Sequence, residues 1–155
     1  MKFLIPFLGK TKEPYLDAGI RDYAGRLGRF AVVDLPVLKE RHSHKDPDEV
    51  VKQNDAGLLL EQAGVAGLRV ALDPTGKTPD SAELAALLTH WQDQSIGTIC
   101  FLIGGHLGLH RSVLDRADLI LSLSRLTFTH EMTRLILLEQ LYRACTIKAG
   151  HKYHK

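Results

Sequence analysis

The distribution of apolar residues predicts short strands that alternate with amphipathic helices. Apolar and β-branched runs predict strands at 2–8, 30–35, 68–73, 98–103 and 119–123. Apolar positions at helical spacing predict helices at 14–27, 46–62, 81–91, 111–117 and 131–145. Strands and helices that alternate in this way are typical of an α/β fold, with a mainly parallel sheet and helices on both faces. We expect residues 1–155 to form a single domain, because no linker or repeat divides them.

Turn and capping residues mark several of these boundaries. Asp46 followed by Pro47 predicts a helix with Asp46 as its N-cap and proline at the first helical position. Asp80 and Glu83 have the spacing of a capping box. The run from Pro74 to Lys77 is rich in turn residues, so we expect the third strand to end there.

The last predicted helix is apolar nearly all round. Its apolar positions are Met132, Leu135, Ile136, Leu137, Leu138, Leu141, Tyr142 and Cys145. Such a helix must be buried on more than one side, either inside one subunit or against a second subunit. If it packs across a two-fold axis, a charge at Leu138 should dissociate the dimer.

The strand predicted at 98–103 ends in a cluster of glycines, Gly104, Gly105 and Gly108. The carboxyl end of a strand in an α/β sheet is where such folds bind ligands, and we expect a Cβ at Gly104 to occupy ligand space. The spacing Gly-Gly-x-x-Gly is neither the dinucleotide fingerprint nor a phosphate-binding loop. By itself, the cluster is equally consistent with a structural turn.

Composition and charge narrow the functional classes. Two cysteines are too few for a disulfide framework, and His42 and His44 lack a third ligand, so we expect no metal site. The amino-terminal apolar run is too short to span a bilayer and lacks a cleavage site, which favours a cytoplasmic protein. Residues 111–155 carry 8 Lys and Arg against 4 Asp and Glu, whereas residues 1–110 carry 12 against 14. A basic carboxy-terminal third favours a polyanionic partner, although an ordinary solvated surface can show the same asymmetry.

Several motifs in the carboxy-terminal half occur together and in a fixed order. They are Ile103-Gly-Gly-His-Leu-Gly-Leu-His110, Leu121-Ser-Leu-Ser-Arg-Leu-Thr-Phe-Thr-His130, Glu139-Gln-Leu-Tyr-Arg-Ala144 and the ending Tyr153-His154-Lys155. With them, the chain closely resembles the ribosomal RNA large subunit methyltransferase H family, which are SPOUT-class enzymes. The resemblance extends to Val70-Ala-Leu-Asp73 and to the first strand, so it covers essentially the whole chain.

The resemblance implies a carboxy-terminal trefoil knot, S-adenosylmethionine bound in that knot, and a homodimer. It implies methylation of N3 of a pseudouridine in 23S ribosomal RNA, in the large subunit or the assembled ribosome, with no membrane and no metal involved. The positions that match cofactor-binding residues are Leu72, Gly104, Leu123, Ser124, Arg125, Leu126, Thr127 and Phe128. The positions that match residues implicated in activity or RNA contact are His130, Arg143, Tyr153 and His154.

The chain departs from the family pattern at two places. Thr129 stands where many members have proline, which we expect to loosen the turn before the last helix. His106 and Leu107 stand where members often have a small or acidic residue, and we expect them to put bulk near the cofactor or the substrate.

The candidate residues also have simpler interpretations. His130 and His154 have the pKa range for a proton role, and Arg143 could stabilise negative charge. Arg143 could equally serve only to pair with Glu139 on the same helix, and His130 could be a polar turn residue. The ending 151–155 could be a frayed tail, and its composition predicts that it is mobile without substrate.

Two alternative functions are weighed against the methyltransferase. A non-enzymatic RNA-binding module would use the basic end to dock on the ribosome, and it would show no heat of binding with S-adenosylmethionine. A nucleotide-dependent oxidoreductase is disfavoured, because both the dinucleotide fingerprint and an acid placed to hold a ribose are missing.

Overall fold

A computed structural model describes residues 1–41, 43 and 45–154, the last through its backbone only. Five parallel strands form the main sheet: β1 (Lys2–Leu4), β3 (Val32–Asp34), β5 (Leu68–Lys77), β6 (Thr98–Ile103) and β7 (Leu119–Leu121). Their order across the sheet is β3-β1-β6-β5-β7. A second, two-stranded parallel sheet pairs β2 (Phe7–Leu8) with β4 (Val37–Leu38).

Helices cover both faces of the main sheet, as predicted. They are α1 (Pro14–Leu27), α2 (Asp48–Ala63), α3 (Ser81–Asp93), α4 (Arg111–Leu114) and α5 (His130–Lys148). Because side chains alternate along a strand, Phe101 of β6 points into the core beneath α1, α3 and α5, and Leu102 points into the core beneath α2 and α4. Residues Ile99–Ile103 are all buried, which confirms a central strand covered on both faces.

Most predicted elements are confirmed, and α1 has the predicted bounds. The capping box of α3 is present, with Asp80 accepting from the N–H of Glu83 and the Glu83 carboxylate accepting from the N–H of Asp80. The predicted cap of α2 is wrong. Pro47 occupies the N-cap position, and the Asp46 carboxylate instead accepts from the N–H of Ser43 at 2.7 Å in the preceding turn.

Two strand predictions also need correction. The strand predicted at 2–8 divides at Pro6, which cannot donate to a ladder, and β2 then pairs with a strand that follows Pro36. The third strand does not end at Pro74 but continues to Lys77. Its irregular section between Leu72 and Lys77 is held by β7, because Leu121 pairs with both of these residues.

The last helix is central within one subunit. It packs against α1 and α3, and Leu138 is 0% exposed in the larger hydrophobic core. The prediction that Leu138 lies at a contact between subunits is therefore wrong, because a charge there would enter the core of one subunit. Among the apolar side chains of α5, Met132 and Ile136 belong to neither core cluster of the described chain.

Candidate active site

A cavity of about 460 Å³ opens at the carboxyl ends of β6 and β7, beside residues 72–74 of β5. The carboxyl ends of parallel strands meet at one edge of the sheet, where α/β folds bind ligands. The cavity walls come from residues 72–74 of β5, the glycine turn after β6, the segment after β7 and the first turn of α5. A cavity of this size with mainly apolar walls is typical of a small-molecule site.

The glycine turn is folded back tightly on itself. A Cβ on Gly104 would lie 2.5 Å from the carbonyl carbon of Gly108 and 2.7 Å from the nitrogen of Leu109. Gly108 has a φ of +78°, in the left-handed region that favours glycine. The expected reason for glycine at position 104 is therefore corrected: a side chain there would collide with the turn itself rather than occupy ligand space.

The segment after β7 is organised by two serines. The N–H of Ser122 donates to the Lys77 carbonyl at 2.7 Å, which joins this segment to the end of β5. The buried Ser122 hydroxyl donates to the Ser124 carbonyl at 2.8 Å, and the Ser124 hydroxyl accepts from the N–H of Leu126 at 3.0 Å. These bonds hold the backbone of residues 122–126 in a fixed curve around the cavity.

Most of the predicted cofactor residues line this one cavity. They are Leu72, Gly104, Leu123, Ser124, Leu126, Thr127 and Phe128. Arg125 lies in the same segment, but its side chain is exposed and it is not part of the lining.

Gly105, His106 and Gly108 also line the cavity, in the glycine turn that the sequence analysis places at a ligand. Sequence reasoning missed the other lining residues, namely Asp73, Pro74, Ile103, Leu121, Ser122, Thr129 and Thr133. Four of these, Asp73, Ile103, Ser122 and Thr129, directly adjoin a predicted cofactor residue, and this adjacency is the signal that could have found them. Of the two bulky residues in the glycine turn, His106 lines the cavity and Leu107 does not.

His130 is the first residue of α5 and stands in the cavity wall. Burial and the nearby Arg134 guanidinium lower the pKa of His130 below its ordinary value, despite the opposing charges of Glu131 and Glu40. The imidazole is therefore neutral at physiological pH and able to accept a proton.

Thr129 caps this helix. Its hydroxyl accepts from the N–H of Met132 at 3.2 Å, and its φ of −63° is one that proline also adopts. The expectation that Thr129 loosens the turn stays a prediction, and the structure adds that threonine supplies a cap that proline cannot provide.

The other candidate residues form a second cluster near the far end of α5. The Arg143 guanidinium binds Glu139 through two hydrogen bonds of 3.0 and 2.5 Å and lies 4.9 Å from the centre of the Tyr153 ring. The Tyr153 hydroxyl lies 3.1 Å from that of Tyr23 and donates to Glu139 at 3.3 Å. Burial and these two partners raise the pKa of Tyr153, so its hydroxyl stays protonated. Glu139 and Tyr23 were missed as members of this cluster.

The carboxy-terminal tail is docked, not free. The Tyr153 ring packs edge-on against Tyr142 at 4.7 Å between ring centres, and His151 contacts Phe30 at 5.8 Å. Residues Lys152–His154 form a 3₁₀ turn. The expected mobile tail is therefore wrong up to Tyr153. The side chain of His154 lies outside the described part of the structure.

The two clusters are separated within one chain. His130 and Arg143 are both on α5, and at about 1.5 Å of rise per residue they lie about 20 Å apart along its axis. The predicted site residues thus divide into a cavity group with His130 and a second group with Arg143 and Tyr153.

No cluster of three or more His, Cys, Asp or Glu residues in 1–41, 43 and 45–154 could hold a metal ion. His42 and His44 lie outside the described residues. Within the same described part of the chain, no helix has the length and apolar character needed to cross a membrane.

Comparison with known proteins gives a consistent family. The family model described as "Predicted SPOUT methyltransferase" matches residues 1–154. The chain is 44% identical to the ribosomal RNA large subunit methyltransferase H of Desulfotalea psychrophila, over all of both chains. It is 41% identical to the protein of the same name from Halothermothrix orenii, again over the full length of both.

Solved structures share the fold at low sequence identity. A probable methylase family protein from Haemophilus influenzae superposes with a TM-score of 0.59 at 14% identity, covering 99% of this chain and 70% of that one. A probable methyltransferase from Bordetella pertussis gives a TM-score of 0.57 at 16% identity, covering 93% of this chain and 95% of that one.

Proposed function

This chain belongs to the SPOUT methyltransferases, within the ribosomal RNA large subunit methyltransferase H family, and from that premise we propose that it methylates N3 of a pseudouridine in 23S ribosomal RNA. The substrate is the RNA of the large subunit or of the assembled ribosome, and the enzyme acts in the cytoplasm as a single-domain protein. The observation that carries the proposal is the cavity at the strand ends, with a neutral histidine in its wall.

SPOUT methyltransferases use S-adenosylmethionine, and the cavity suits this cofactor. Its volume of about 460 Å³ accommodates a nucleoside with a short side chain, and its walls combine apolar side chains with backbone groups of the two loops. Leu72, Gly104 and the segment from Leu123 to Phe128 would hold the cofactor. When bound, the cofactor supplies an activated methyl group on sulfur.

We place this cavity in a trefoil knot. One close approach between distant parts of the chain supports that arrangement. A Cβ on Gly76 would lie 2.6 Å from the backbone of Ile120 and Leu121. Glycine at this position lets β5 and β7 come into close contact beside the cavity.

The chemistry requires a proton acceptor and an anion stabiliser. N3 of pseudouridine is an imide nitrogen that carries a proton at neutral pH, so it must lose the proton to become a nucleophile. The neutral imidazole of His130 is one candidate acceptor, and His154 is the other. The Arg143 guanidinium would stabilise the resulting imidate or hold a neighbouring phosphate. Tyr153 offers an aromatic face beside that cation, suited to stacking on a base.

A homodimer would bring these groups together. One α5 helix separates His130 from Arg143 by about 20 Å, which is much longer than a hydrogen bond to a single base. In a dimer whose α5 helices run in opposite directions, the Arg143 end of one subunit lies beside the His130 end of the other. Each site would then combine the cavity of one chain with the second cluster of the other.

Complementation tests this arrangement and the activity together. His130→Ala and Arg143→Ala should each reduce methylation of 23S ribosomal RNA by at least tenfold, which corresponds to about 1.4 kcal/mol of lost transition-state stabilisation. When the two variants are refolded together, mixed dimers contain one intact composite site. A random mixture should therefore regain about a quarter of the wild-type rate.

The controls separate the individual claims. Mass mapping of the methylated RNA identifies the modified base, and calorimetry measures the affinity for S-adenosylmethionine. If the mixture stays as inactive as either variant alone, the composite site is wrong. If the wild-type chain binds no S-adenosylmethionine and methylates no ribosomal RNA, the proposed function is wrong.

A further inference from the structure

The loop between β2 and α1, residues 9–13, is held in place by two buried charged side chains of α5. Glu131 is 7% exposed and accepts from the N–H groups of Lys12 and Glu13 at 2.9 and 3.2 Å. Arg134 is 2% exposed and donates to the hydroxyl of Thr11 at 2.9 Å and to the carbonyl of Leu8 at 2.6 Å. These contacts fix the loop at both of its ends.

The burial of Glu131 and Arg134 needs a physical reason. Burying a carboxylate and a guanidinium opposes folding unless each charge finds good hydrogen-bond partners. Here the partners are groups of the 8–13 segment, and the Arg134 guanidinium also lies 4.5 Å from the centre of the Phe7 ring. Two charged side chains in the first turns of α5 thus hold one short surface loop in place by hydrogen bonds.

The same turns of α5 also form the cavity wall. His130 and Thr133 line the cavity, while Glu131 and Arg134, each one residue further along the helix, bind the loop. The loop is therefore held at a constant position relative to the mouth of the cavity. Its exposed side chains include Lys10 and Lys12, neither of which has an ion-pair partner among the described residues.

We propose that Lys10 and Lys12 bind backbone phosphates of the RNA next to the nucleotide that enters the cavity, and that Glu131 and Arg134 are positioning residues for this contact. The inference rests on the proposed function and names a part of the substrate surface. Lysine ammonium groups bind phosphates as point charges without reading sequence. The acidic groups around the loop are Glu40 beside Gly9, Glu13 after Lys12, and the buried Glu131. The exposed ammonium groups of Lys10 and Lys12 are the cations that the loop offers to phosphates.

The test compares Lys10→Ala/Lys12→Ala with Lys10→Arg/Lys12→Arg in binding and methylation of 23S ribosomal RNA. The alanine pair should raise KM and Kd for the RNA by at least tenfold, with kcat and the affinity for S-adenosylmethionine unchanged. Because two phosphate contacts are lost, the slope of log K against log salt should fall by about 1.4 for single-stranded RNA. The arginine pair should restore binding.

Arg116→Ala is the matched control for one lost charge. Arg116 is exposed and precedes β7, so it lies at the opposite edge of the sheet from the cavity. This variant should leave the KM for RNA within twofold of wild type, whereas each single lysine variant should raise it about threefold. Glu131→Gln should raise the KM for RNA without changing S-adenosylmethionine affinity, and it should speed hydrogen exchange of the Lys12 and Glu13 amides.

The results distinguish this proposal from the proposed function. If the wild-type chain methylates the RNA and the alanine pair has an unchanged KM and salt slope, the phosphate contact is wrong. If the alanine pair is weakened but Glu131→Gln binds RNA normally with faster amide exchange, the positioning role is wrong. If the wild-type chain neither binds nor methylates the RNA, both proposals fail together.

Discussion

At the scale of single residues, the main correction concerns the end of the chain. The Tyr153 hydroxyl shares contacts with Tyr23 and Glu139, and its ring packs on Tyr142. A hydrogen bond between partly buried neutral groups contributes about 0.5–1.5 kcal/mol. Tyr153 therefore contributes to stability as well as to the proposed RNA contact, and truncation after Gly150 would affect both.

Tyr153→Phe and Tyr23→Phe should each lower the free energy of unfolding by about 0.5–1.5 kcal/mol in urea denaturation. The double variant should lose less than the sum, because both changes remove the same bond between hydroxyls 3.1 Å apart. Tyr15→Phe is the control, since Tyr15 is 66% exposed and should tolerate the change. Strict additivity of the two losses would mean that the hydroxyls do not interact.

Glu131 gives a pH prediction. Burial opposes ionisation of Glu131, but the N–H groups of Lys12 and Glu13 and the charge of Arg134 outweigh it and lower its pKa below the ordinary 4.5. A depressed carboxyl pKa adds stability above the unfolded-state pKa, and this stability is lost as the pH falls through the folded-state pKa. Wild type should exceed Glu131→Gln in unfolding free energy at pH 7, and the difference should shrink below about pH 4.5. A difference independent of pH between 7 and 3 would contradict the ionised Glu131.

At the scale of elements, α5 connects the parts of the proposed site. Its first turn carries the Thr129 cap, His130 in the cavity wall, and the pair that holds the 8–13 segment. Its last turns carry Arg143, and the docked tail follows. Because one rigid helix joins these groups, we expect a well-ordered amino-terminal end of α5 to matter for catalysis as well as for stability.

Thr129→Ala should lower the free energy of unfolding by about 1 kcal/mol, because the N–H of Met132 loses its side-chain acceptor. It should also raise the KM for S-adenosylmethionine, since Thr129 lines the cavity. Asp80→Ala removes the equivalent cap of α3, which is not part of the cavity wall, and serves as the control. Equal effects of both variants on cofactor affinity would show that the cap acts only through global stability.

At the scale of the whole molecule, the subunit leaves one face of α5 without core contacts. Met132 and Ile136 are one helical turn apart and lie outside both core clusters of the described chain. The same line along the helix continues towards Arg143, in the second cluster. We propose this face as the contact between subunits in the proposed homodimer.

Ile136→Glu should convert the dimer to a folded monomer in sedimentation, because the charge would enter an apolar contact between subunits. Leu138→Glu should instead unfold the chain, since Leu138 is 0% exposed within one subunit. Circular dichroism distinguishes the two outcomes. A folded dimer of Ile136→Glu at micromolar concentration would place the interface on another face.

The sequence by itself determined the elements that depend on near neighbours. The α1 bounds, the capping box at Asp80 and the alternation of Phe101 and Leu102 all follow from spacings of two to four residues. The glycine turn was also identified, because glycine adopts backbone conformations that other residues avoid. The segment 123–128 was identified only through the family resemblance. The family came from motifs in order, which periodicity alone does not supply.

Only the tertiary structure decided the features that depend on distant partners. β5 continues past Pro74 because β7 pairs with it, and β4 exists because β2 provides a ladder. The tail is docked because Tyr153 contacts Tyr23, a residue that lies 130 positions away in sequence. The contacts of Glu131 and Arg134 with residues 8–13 have the same origin. A local pattern reports which face of an element is apolar, whereas the partner that covers this face is set by packing of the whole chain.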